Sequence, residues 1–270
     1  MTEQPRKKIQ DGPVEPIKIF DDVYYIGRKG VGVFAVTTSE GIVLIDSMDP
    51  VDAAEKHIIP GMEQLGLNPA DITDIILTHG HFDHFAGAKH LQDKFHCRVG
   101  IGLTDSGYMV YSEYRGEEIE YPHIDFILED RKEMVFGEHI FRPILTPGHT
   151  PGCMSLIFNC HDNGTEHWVS LWGGAGLPRP NEGIDKQLGN ACDFAYSAYI
   201  FQKECELREC DVVLGVHPHR CGLFEKADKL KARKPGEENP FVVGAEGVKA
   251  NLHIRGTEAI ELARKVIDEM

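Results

Sequence analysis

The stretch Ile75-Ile76-Leu77-Thr78-His79-Gly80-His81-Phe82-Asp83-His84 places three histidines and an aspartate within six residues, directly behind an apolar run. A short run rich in β-branched residues reads as a buried strand. The polar residues then sit at that strand's C-terminal end, where open sheets place their sites. Neutral imidazoles and a carboxylate are the donors that a borderline-soft cation such as zinc takes. The spacing divides them: His79 and His81, two apart in an extended turn, grip one ion, and Asp83 and His84, after a bend, grip a second. A polar turn with accidental histidines is the plainer reading, since the chain has 14 histidines to scatter. Four ligand-type residues in this order weigh against chance.

A metal cluster also needs donors from distant sequence. The turn Thr146-Pro147-Gly148-His149-Thr150-Pro151-Gly152 holds a histidine between Gly/Pro constraints, after the apolar segment 140–145. The run Asp211-Val212-Val213-Leu214-Gly215-Val216-His217-Pro218 ends a further buried-strand pattern on a histidine. His219 is the one rival, because Pro218 could present either neighbour, and His217 is preferred because it ends the strand directly.

On the His79-x-His81-x-Asp83-His84 motif, the Pro-Gly-His149-Thr-Pro-Gly turn, His217 and the strand Ile42-Val43-Leu44-Ile45-Asp46, the chain resembles the metallo-β-lactamase superfamily. Within it, the Thr-Pro-Gly-His-Thr-Pro-Gly form of the turn and the Asn239-Pro240-Phe241 segment are similar to the third subclass of class B β-lactamases. The resemblance implies an α/β fold, a four-layer αβ/βα sandwich, and two Zn2+ per chain. It assigns His79, His81 and His149 to the first metal, and Asp83, His84 and His217 to the second. Three imidazoles leave a fourth tetrahedral position open for water, and two ions roughly 3.5–4 Å apart can share a hydroxide. Asp83 is then both a ligand and the catalytic group orienting that hydroxide, and Asp46 buttresses the motif from behind. The implied activity is hydrolysis of a small-molecule amide or lactam. A lactonase or thioesterase on the same scaffold is the alternative. An iron oxidoreductase or a relic binding protein fits less well, since His81 and all six donors are in place.

One departure stands out at Leu171-Trp172-Gly173-Gly174-Ala175-Gly176-Leu177-Pro178. Most hydrolases of the superfamily carry a Gly-Asp step here that bridges the metals, and the third subclass carries serines that contact the antibiotic's carboxylate. This chain has Gly174 and Gly176. Arg179, Arg220 or Lys186 could supply a substitute cation, and Trp172, Phe194, Tyr196 and Tyr199 could line the space, although a core role is the default for aromatics. Cys153 and Cys221 read as structural, as do the remaining histidines.

Lys+Arg 28 against Asp+Glu 43 gives a net charge of −15, which argues against a nucleic-acid partner because phosphate binding needs a basic face. No run of about 18 apolar residues exists, so no membrane span is expected. The seven cysteines are odd in number and lack C-x-x-C spacing, which suits a reducing, cytoplasmic setting. Oligomeric state is open. Residues 1–16 read as a polar leader and 17–270 as a single domain. The patterning predicts a helix over 50–65 interrupted at Pro60, helices over 86–95, 104–114, 183–208, 224–232 and 244–268, and an irregular charged stretch over 115–137. Strands are expected at 17–20, 23–26, 31–36, 41–45, 73–77, 98–101, 140–145, 154–159, 168–172 and 211–216.

Overall fold

The computed structural model describes residues 12–49, 52–111, 119–177 and 183–270. Its first half lays down β1 (Ile17–Lys18), β2 (Val23–Tyr25), β3 (Phe34–Thr38), β4 (Gly41–Ile45), α1 (Ile59–Gln64), β5 (Ile72–Leu77), α2 (Phe82–Phe85), α3 (Ala88–Phe95), β6 (Arg98–Gly102), α4 (Leu103–Tyr108) and β7 (Phe126–Leu128). The second half adds β8 (Met134–Phe136), β9 (His139–Leu145), β10 (Met154–Asp162), β11 (Thr165–Trp172), α5 (Ile184–Leu207), β12 (Val212–Gly215), α6 (Leu223–Lys231) and α7 (Gly244–Asp268).

Strands β1 to β7 form one sheet in sequence order, antiparallel through β4 and parallel from β4 to β7. The second sheet runs β12-β11-β10-β9-β8, with only the β11–β12 pair parallel. Period-2 alternation builds the layers. In β4, Val43 and Ile45 join the core between the sheets with Phe34, Phe141 and Phe158, whereas Ile42 and Leu44 pack with Ile58, Met62 and Leu91 under α1 and α3. On the other side, α5 and α7 pack together, and Phe194 and Phe201 of α5 meet Trp172 with ring centroids 5.2 and 5.7 Å away. Each such buried side chain contributes roughly 1.5–3 kcal/mol. The α/β sandwich expected from the sequence is therefore present, with helices outside two facing sheets.

Two local expectations change. The break expected at Pro60 is a change of winding: Ala54–Ile58 form a π-helical turn, and Pro60 lies in the first turn of α1, where its missing N–H costs no bond. The stretch 115–137, read as irregular, holds β7 and β8, each three residues long and too short to display alternation. Of the expected leader only residues 12–16 are described, and there Pro13 bridges Arg28. Arg179 lies outside the described residues, as do positions 112–114 of the helix expected over 104–114.

Candidate metal centre

The C-terminal ends of β4, β5 and β12 and the turns after β9 and β11 meet at one edge of the sandwich. Asp46 N–H donates to Ile76 O at 2.9 Å, extending the β4–β5 pairing, while Met154 N–H donates to Thr78 O at 2.8 Å and Gly32 N–H to Val216 O at 2.5 Å, which pins the two sheets together there. The six residues singled out from sequence are brought into two triads, His79/His81/His149 and Asp83/His84/His217, with the donor atoms of each within 4.8 Å of one another. His149 Nε2 lies 3.0 Å from His81 Nδ1 and 3.1 Å from His79 Nε2. His84 Nε2 lies 3.2 Å from His217 Nε2, and Asp83 Oδ2 is 3.5 and 3.8 Å from those two nitrogens. The His79 and His84 rings stand 4.0 Å apart, so the triads adjoin.

The outward-facing nitrogens fix what the inward ones are. His149 Nδ1 faces Gly176 O at 2.8 Å and His217 Nδ1 faces Gly30 O at 2.7 Å; carbonyl oxygens only accept, so these nitrogens carry the protons. His84 Nδ1 donates to Asp46 Oδ2 at 2.7 Å, and His79 Nδ1 lies 3.1 Å from the Thr78 hydroxyl, which itself donates to Asp46 Oδ2. His81 turns its Nε2 to the Tyr108 hydroxyl at 3.5 Å. Where the rings are neutral, the inner nitrogens are then lone pairs converging on common points, a packing that a shared cation relieves. Tetrahedral zinc would hold such nitrogens roughly 3.3 Å apart, close to the spacing found, so the residues fit the ion.

Burial and mutual proximity keep His79, His149 and His217 neutral: the pKa of His149 falls to about 3 and that of His217 to about 4. Burial works against charge on Asp83 as well, but His84, His217 and His81 outweigh it and hold the carboxyl well below its usual range. Burial likewise opposes protonation of His84, yet Asp83 and Asp46 push its pKa up to about 10.

Asp46 plays the buttressing part expected of it. Fully buried at the end of β4 with φ 62°, it accepts from Thr78 N–H at 2.7 Å while holding His84. Asp105 was missed from sequence. Buried in α4, it accepts from Gly80 N–H (2.8 Å), Thr150 Oγ1 (2.6 Å) and Gly152 N–H (2.6 Å), tying the His79/His81 loop to the His149 turn. Its only sequence signal is a carboxylate just after a strand.

Gly174 sits directly against His149: a Cβ there would fall 2.6 Å from the histidine's own Cβ. Gly148 takes φ +119° where the turn passes α5, and a Cβ there would meet Phe194 N at 2.4 Å. His219 is exposed, beside His217 but outside the triad. Arg220 is engaged by Glu258, and Lys186 is exposed. Trp172 and Phe194 are core, whereas Tyr196 and Tyr199 are exposed. Cys153 and Cys221 are buried, with thiol pKa values pushed up by burial.

The family model of the metallo-β-lactamase superfamily matches residues 26–162. Among curated proteins, an N-acyl homoserine lactonase of Bacillus thuringiensis is 29% identical over 135 residues, 50% of each chain. A hydroxyacylglutathione hydrolase of Bradyrhizobium sp. (strain ORS 278) is 32% identical over 109 residues, 40% of this chain and 37% of that one. The matches thus span about half or less of the length of these relatives. Among solved structures, the native FEZ-1 metallo-β-lactamase of Legionella gormanii superposes with a TM-score of 0.83 at 23% identity, over 95% of this chain and 98% of that one. BJP-1, a subclass B3 metallo-β-lactamase of Bradyrhizobium japonicum, gives 0.79 at 23%, over 97% and 98%. The fold is shared along nearly the whole chain, and the family match over residues 26–162 takes in β3 to β10 and both histidine motifs: this chain belongs to the metallo-β-lactamase superfamily.

Proposed function

We propose that the protein is a dinuclear zinc hydrolase of the β-lactamase type, opening an acyl C–N bond in a small cyclic amide. The observation carrying this reading is that five imidazoles each turn one nitrogen outward and one inward, with Asp83 completing the second triad. Zinc bound to the two triads would supply Lewis acidity, making water a nucleophile near neutral pH and offsetting the negative charge that develops on the substrate. Asp83, its side chain 36% exposed and held anionic, accepts a hydrogen bond from the attacking water and orients it towards the carbonyl. The same carboxylate can carry the water's proton to the leaving nitrogen. Thr78 and Asp46 hold His79 and His84, and Tyr108 holds His81, so the donors stay preorganised.

Hydrolysis of a lactone or thioester is the second reading, supported by the lactonase and hydroxyacylglutathione hydrolase relatives. Gly174 favours the first, because a carboxylate at that position would collide with His149 and could not bridge two ions without displacing it. The seven free cysteines are in keeping with a reducing, cytoplasmic setting. Among the described residues, no helix is long and apolar enough to cross a membrane.

Metal-stripped protein should gain turnover of a chromogenic cephalosporin that saturates at about two added equivalents of zinc, and a chelator should abolish it. Asp83→Ala should fold yet lose about 100-fold or more of that turnover. Zinc-loaded protein that ignores the cephalosporin but cleaves lactones or thioesters would move the assignment to the second reading.

A further inference from the structure

A third group of donors lies away from this centre. Asp22 stands in the turn between β1 and β2, His139 opens β9, and His161 lies near the end of β10; their donor atoms all fall within 4.8 Å of one another. His139 and His149 flank opposite ends of β9, separated by about 20 Å of strand. The group therefore shares no residue with the catalytic edge and joins the first sheet to the second at the far end of the β9–β10 hairpin.

Its geometry repeats the logic of the two triads. His161 N–H donates to Asp22 Oδ1 at 3.0 Å and fixes the carboxylate. The other oxygen, Oδ2, then lies 2.6 Å from His161 Nδ1 and 3.4 Å from His139 Nε2. His139 Nδ1 faces Asn159 O at 2.8 Å and must be the protonated nitrogen. In the neutral ring Nε2 is then a lone pair. It belongs to a side chain with 0% exposure, has no hydrogen-bond partner, and points at a carboxylate oxygen, with Glu138 Oε1 a further 3.8 Å away. Lone pair facing anion is repulsive unless a positive charge lies between them.

We infer that Asp22 Oδ2, His139 Nε2 and His161 Nδ1 form a third cation site, separate from the hydrolytic centre. Two imidazoles and one carboxylate select a borderline divalent transition ion such as zinc over calcium or magnesium, which take oxygen donors. The His161 side chain is 32% exposed, so water can reach the fourth position. Uptake releases to solvent the proton that His161 Nδ1 shares with Asp22. An ion here clips the β1–β2 turn to the β9–β10 hairpin, which makes its role structural.

Zinc itself is the probe. Wild type, His161→Gln and His139→Gln are stripped with chelator, reloaded with zinc, desalted, and compared for retained metal, circular dichroism and thermal midpoint. Wild type should retain about one equivalent more than either variant, and zinc should raise its thermal midpoint further than theirs. Turnover at the hydrolytic centre should be unchanged in His161→Gln. His161 is partly exposed, so that variant carries the test if His139→Gln fails to fold. Equal zinc retention by wild type and folded His161→Gln overturns the site.

Discussion

At the level of single residues, the chemistry was legible where donors cluster in sequence and hidden where support comes from afar. His79, His81, Asp83 and His84 announce themselves by spacing, and His149 and His217 by ending apolar runs. Asp105 could not be found that way, because its three donors, on Gly80, Thr150 and Gly152, lie 25, 45 and 47 residues away. Asp105→Asn keeps the shape but removes the charge-assisted acceptor. It should weaken zinc binding by about 10- to 100-fold, read by competitive zinc titration. Gly174→Ser tests the opposite kind of constraint. Its Cβ must displace His149, so zinc affinity should fall. Undiminished zinc affinity in that variant would show that the turn relaxes at no cost.

At the level of elements, long periodic segments were readable and short edges were not. The strands β4, β5, β9, β10 and β11 and the helices α5 and α7 fall where apolar runs and long helix-forming stretches of the sequence lead one to expect them. The three-residue strands β7 and β8 exist because β6 and β9 offer them edges, a cause that lies in the partner and not in their own composition. The hairpin β9–β10 carries both the His149 turn and the Asp22 group, so its packing matters at each end. Phe141 and Phe158 stack across it with centroids 5.0 Å apart, and both are fully buried. Phe158→Ala should cost about 3–5 kcal/mol in denaturant unfolding. A loss under about 1 kcal/mol would mean that the neighbouring strands collapse into the space.

At the level of the whole molecule, gathering so many ionisable groups at one edge makes stability depend on pH. In metal-stripped protein, His149 and His217 have pKa values lowered from 6.5 to about 3 and about 4. Between about pH 4 and 6.5 the unfolded chain takes up protons that the folded chain refuses, so stability falls as pH drops through that window. His84 acts with the opposite sign. Its pKa rises from 6.5 to about 10, so its stabilising contribution is complete below 6.5 and is lost as pH climbs through about 10. The thermal midpoint of stripped protein should therefore peak near pH 6.5; zinc, by holding the donors of the folded chain deprotonated, should flatten the alkaline limb and steepen the acid one. A midpoint rising steadily from pH 4 to 10 would contradict this balance.

The sequence by itself determined the candidate donor residues, the strand-end placement of each motif and the layered α/β plan, because all three are written in local spacing and hydrophobic period. Tertiary structure alone decided which nitrogen of His217 and of His149 faces inward, since the partners that choose it, Gly30 and Gly176, stand 187 and 27 residues away. It alone shows that a side chain at Gly174 would press on His149, a Cβ there falling 2.6 Å from the histidine's own Cβ. It alone also brings Asp22, which nothing local distinguishes from Asp21, against two histidines of the other sheet. Such contacts follow from how the sheets pack, and no window of the chain short enough to show a period contains both partners.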